Sequence, residues 1–179
     1  MMSLTFFFYM SLVLFSVIGA MRGWAKELLV SFGVILSISL IVLVEKFVPI
    51  IGPLLQQNNA RSFWIKIGIL GVILYFSYQT PNFPLLLKEK GKFERQKLPD
   101  TFLGLVMGLL NGYLIAGTVW YYMNQSQYPF PLITPPVIGT PAGDAAARIL
   151  KWLPPAWLTF PWVFAVFIIF AIFIIVLLI

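Results

Sequence analysis

Five stretches of this chain are apolar all round rather than along one stripe, and polar or proline-rich segments separate them. As a helix, about 20 such residues cross roughly 30 Å of hydrocarbon and pair every backbone N–H and C=O internally. The pattern predicts spans over about residues 4–20, 24–44, 62–80, 100–123 and 162–179. The expected fold is an all-α membrane protein, a bundle of about five transmembrane helices with a short interfacial helix. Residues 1–123 hold four spans, 124–161 form a proline-rich outer loop, and 162–179 supply the C-terminal helix.

The breaks are as legible as the spans. Gly19 and Gly23 flank Arg22 and allow a tight turn, while Pro49 and Pro53 stop the second span from continuing past Glu45 and Lys46. Eight prolines between Pro129 and Pro161 forbid regular structure over most of that stretch. One helical piece survives there, with Thr140 as cap, Pro141 in the first turn, and Asp144, Arg148 and Lys151 on one stripe. It reads as an amphipathic helix on the membrane surface, with Trp152 and Trp157 as interfacial anchors. Trp120, Tyr121 and Tyr122 likewise read as an aromatic belt where the fourth span leaves the hydrocarbon.

Glycine spacing predicts how the helices meet. Gly104, Gly108 and Gly112 share one face of the fourth span, so a neighbour can approach until backbones touch. Gly19, Gly23 and Gly33 are the other candidate packing glycines. Ser31 and Ser39 can bond back to their own helix, so they do not by themselves demand a polar pathway.

Composition narrows the chemistry. The chain is 60% hydrophobic and 10% charged, against about 25% charged in soluble domains. Cysteine and histidine are both absent, so thiolate, zinc and imidazole-ligated haem chemistry is excluded for its own side chains, and no cofactor is expected. The net charge of +6 sits mainly in loops beside spans, where lipid headgroups are nearer partners than nucleic acid. Lys88, Lys90, Lys92, Arg95 and Lys97 make the most basic loop, a site for anionic lipids or a simple topology signal. The positive-inside rule then puts the N-terminus outside and the C-terminus in the cytoplasm.

Three polar groups within or beside the spans are candidates for contacts with a partner, lipid or substrate: Arg22, Lys66 and Asn111. Lys66 lies one turn inside the third span, close enough to its end to snorkel to the headgroups, and that reading is preferred to a functional one. The six acids fall at span ends or in loops, and no nucleophile–base pair, paired carboxylates or phosphate loop stands out. An enzyme is not expected.

Two motifs together carry a resemblance. Gly19-Ala20-Met21-Arg22-Gly23 leads into Lys26-Glu27-Leu28-Leu29 and Gly33, and the run from Asp100 to Gly112 reads DTFLGLVMGLLNG. Over about residues 4–123 the chain resembles the colicin V production protein (CvpA-like) family. The resemblance implies a small multipass protein of the bacterial inner membrane, linked to colicin V export and cell-envelope phenotypes and without an agreed molecular activity. The chain departs from the family pattern at Asn111, where arginine is frequent, in the charged insertion 88–97, and after Met123. The expected function is a non-enzymatic scaffold or accessory subunit packed against other membrane proteins or a copy of itself. The alternatives are a small transporter or channel component in toxin export, or an accessory subunit of a respiratory or photosynthetic complex.

Overall fold

The computed structural model describes residues 4–79, 97–131, 133 and 135–178, and all its regular elements are helices. We label them α1 (Leu4–Arg22), α2 (Trp24–Phe47), α3 (Gly52–Gln56), α4 (Ala60–Tyr78), α5 (Lys97–Gln125), α6 (Pro141–Leu150), α7 (Pro154–Trp157) and α8 (Trp162–Leu178). By length and composition α1, α2, α4 and α5 can each cross a membrane, and α8 is a shorter apolar helix of 17 residues. The chain is a multipass membrane protein built as an all-α bundle.

Each boundary has a local cause. Gly23 separates α1 from α2 with φ at 86°, a left-handed value that other residues rarely adopt. Asp100 accepts the Trp24 N–H at 3.4 Å, placing a carboxylate at the positive end of α2. The extended Val48 ends α2 ahead of Pro49. The Asn59 side chain caps α4 by accepting the Ser62 N–H at 2.9 Å. Thr140 does the same for α6 through the Gly143 N–H at 3.1 Å.

Packing is organised around α5, with α1 as its closest neighbour. A Cβ on Gly19 would lie 2.6 Å from the Gly108 Cα, one on Gly108 would lie 2.9 Å from the Gly19 Cα, and one on Gly112 would lie 3.0 Å from the Leu12 Cα. Gly104 faces the Gly19 carbonyl in the same seam. The two backbones are therefore in contact over more than two turns, and the Ser16 hydroxyl adds a 3.2 Å bond to the Leu105 carbonyl. Lipid tails are as apolar as leucine, so this closeness, through dispersion, is what favours the helix pair over lipid. On the other side α2 packs on both α5 and α4. Gly33 gives way to the Ser77 side chain of α4, while Phe32 stacks on Phe167 of α8 at 5.3 Å.

Two expectations need correction. Trp120 and Tyr122 do not form an interfacial belt: both are buried, Trp120 against Phe8 with ring centroids 5.6 Å apart. Trp120 faces α1 and donates its indole N–H to the Tyr128 hydroxyl of the following loop at 3.4 Å, whereas Tyr122 faces Lys66 of α4. The segment after α6 also does more than rest on the surface. Leu153 and Leu158 are buried, Pro154 fits against Gly117, the Tyr113 hydroxyl donates to the Trp152 carbonyl, and the Trp157 indole donates to Tyr113 at 3.1 Å. Proline here shapes a short segment that docks along α5, while Trp152 and Trp157 keep exposed rings.

Candidate functional site

The buried charged side chains, Glu27 and Lys66, lie near the two ends of α2. At its beginning, the Gly23 turn brings Arg22 back over the first turn of α2. Arg22 Nη1 donates to Glu27 Oε1 at 2.6 Å, and the Glu27 side chain is fully buried. From α5, Asn111 Nδ2 donates both to Glu27 Oε2 at 2.7 Å and to the Glu27 carbonyl at 2.8 Å. Ser31 Oγ donates to Asn111 Oδ1 at 2.6 Å. The guanidinium lies 4.4 Å from the centre of the Tyr78 ring and donates to the Tyr78 carbonyl at 3.2 Å. Three spanning helices and the end of α1 thus converge on one carboxylate.

This arrangement answers the electrostatic problem of an acid inside a membrane protein. Glu27 sits at the positive end of α2 and Arg22 at the negative end of α1, so both helix dipoles favour their charges. The pair is neutral overall and each carboxylate oxygen has a donor, which limits the desolvation penalty. Asp100 lies beside the same turn, so the two glycine-rich motifs of the sequence meet here in space.

Toward the other end of α2, Lys66 donates to Gln125 Oε1 at 3.0 Å and pairs with Glu45 Oε1 at 2.7 Å. It also lies 5.0 Å from the centre of the Tyr122 ring. This corrects the snorkelling expectation: Lys66 is 1% exposed and points into the bundle. The reason is a nearby acid at matching depth, since the Glu45 side chain keeps 24% exposure and draws the ammonium inward while itself reaching the surface.

About 27 Å of helix separates Glu27 from Glu45 at 1.5 Å per residue. Between them Val34, Ile38, Leu70 and Leu114 form a buried apolar layer. Ser37 and Ser39 spend their hydroxyls on the carbonyls of Gly33 and Ile35, each at 2.8 Å. The two polar clusters are therefore separate, without a chain of polar side chains joining them among the described residues.

Of the residues singled out from sequence, Gly19, Gly104, Gly108 and Gly112 line one seam, Gly23 makes the turn, and Gly33 packs on α4. Arg22 and Asn111 come together, while Lys66 belongs to the second cluster. Lys88, Lys90, Lys92 and Arg95 lie outside the described residues, as does the Lys97 side chain at the start of α5. Sequence reasoning missed Glu27, Glu45 and Gln125, having placed the acids at span ends or in loops without assigning them partners. The available signal was an opposite charge at similar depth on a neighbouring helix. Among the described residues no three His, Cys, Asp or Glu side chains group to hold a metal. Compared with protein-family models, curated proteins and solved structures, the chain matches none.

Proposed function

We propose that this chain is a non-enzymatic membrane scaffold or accessory subunit, of the CvpA-like type in a bacterial inner membrane, that packs against another membrane protein. The observation that carries the reading is where its charges go. Arg22, Glu27 and Lys66, the ionic groups drawn deepest into the bundle, are paired with the chain's own side chains, which leaves none of them poised for a substrate. What remains available is apolar surface, above all on α8, where Ile169, Ile172 and Val176 are exposed while Phe167 and Phe170 lean on α2. The apolar layer between the two polar clusters weighs against transport.

The test is a photo-crosslinking residue at Ile169, which is 67% exposed, in the full chain in its native membrane. A discrete protein adduct, identified by mass spectrometry after gentle solubilisation, is expected. Lipid adducts alone, from a chain that purifies as a compact monomer, would overturn the proposal.

A further inference from the structure

A crevice of about 950 Å³ opens between α1 and α4, with α5 as its floor. Its walls run from Leu4 to Phe15 on α1, from Phe63 to Ile67 on α4, and from Ile115 to Met123 on α5. Phe130, Ile133, Pro135 and Val137 of the following loop and the face of α6 around Gly143 and Ala146 close it at one end. On α1 the wall is about 17 Å long at 1.5 Å per residue, close to half of a roughly 30 Å hydrocarbon core. The space is one leaflet deep, roofed on the α6 side.

Its chemistry is that of hydrocarbon. Ser11 Oγ is committed to the Phe7 carbonyl at 2.8 Å, and Thr140 Oγ1 to the Val137 carbonyl at 2.7 Å. Water needs two to four polar partners and finds few here. A spanning partner helix is also a poor fit. It would run into the roof, and it would meet bulky Phe7, Phe8, Phe15, Phe63 and Trp64 where close helix packing wants small residues. A flexible tail that enters sideways and ends beneath the roof meets neither obstacle.

We propose that this crevice holds one acyl chain of a resident phospholipid from the leaflet on the α6 side. The inference does not depend on the scaffold reading, because the proposed partner face lies on α8. Trp120, buried in the crevice wall, is the reporter. A full-length variant keeping only Trp120, with the other five tryptophans changed to phenylalanine, is reconstituted in vesicles of acyl-brominated phosphatidylcholine. Trp120 emission is expected to fall almost as far as that of a matching variant keeping only the exposed Trp64, and Ala116→Phe, which fills the floor, is expected to restore it. Native mass spectrometry of the unaltered protein serves as the second measurement, because the tryptophan replacements could impair folding. It is expected to retain one phospholipid mass per chain after mild delipidation, and Ala116→Phe to lose it. Unquenched Trp120 in a folded variant, or the absence of that adduct from the unaltered protein, would overturn the proposal. So would quenching that appears only when protein is diluted in lipid, since a second copy of the chain would then be the occupant.

Discussion

Glu27 is an acid that the fold has enclosed and then answered from two sides. Its burial makes the consequences of substitution asymmetric. Arg22→Met strands a carboxylate with no solvent access, whereas Glu27→Leu strands a guanidinium whose side chain is still 21% exposed. Breaking a buried pair costs about 3–5 kcal/mol, so Arg22→Met is expected near that range and Glu27→Leu below it. The double variant should recover part of the loss, and unfolding in mixed micelles measures all three. Losses that simply add would mean the pair is not coupled. Lys66→Met is expected to be milder, roughly 1–3 kcal/mol, because the Glu45 carboxylate it releases can reach the surface. The single letters gave no warning of this difference, since both acids stand near the ends of one helix and only neighbouring elements decide which is covered.

Glycine shows the same divide at the level of whole helices. Gly68 and Gly71 recur in a spanning helix as Gly104 and Gly108 do, yet a Cβ on either of the first two would meet nothing within 4 Å. Gly108→Leu should force α1 away from α5 and cost at least the roughly 1–3 kcal/mol of an overpacked core. Gly68→Ala should be neutral or stabilising by up to about 1 kcal/mol, from helix propensity alone. Parallel unfolding measurements on the two variants test whether the seam, rather than glycine content, holds the bundle. Gly23→Ala makes a third case. A Cβ there would lie 3.0 Å from Asp100 Oδ2, so the carboxylate must shift, and the φ of 86° is left-handed as well; the backbone alone is expected to cost about 1–2 kcal/mol.

At the scale of the molecule, the apolar layer of Val34, Ile38, Leu70 and Leu114 divides two polar clusters that would otherwise outline a route along α2. Vesicles containing the full chain are therefore expected to hold a proton or potassium gradient as long as protein-free vesicles do. An added leak that Lys66→Met abolishes would instead favour transport. The serines of α2 do not bridge this layer. Ser37 and Ser39 are satisfied within their own helix, and Ser31 alone bonds across to α5.

The amino-acid sequence by itself determined the class of molecule and the position of every long helix to within a few residues. Hydrocarbon leaves the backbone no alternative partner, so apolar length and proline or glycine breaks are sufficient signals. It also marked the face of α5 that bears Gly104, Gly108 and Gly112. Only the tertiary structure decided that α1 fills that face, that Lys66 turns inward to Glu45, and that Arg22, Glu27 and Asn111 meet. The physical reason is that spanning is a property of one helix and lipid. Pairing depends instead on which helices become neighbours and at what depth, and no single segment carries that information.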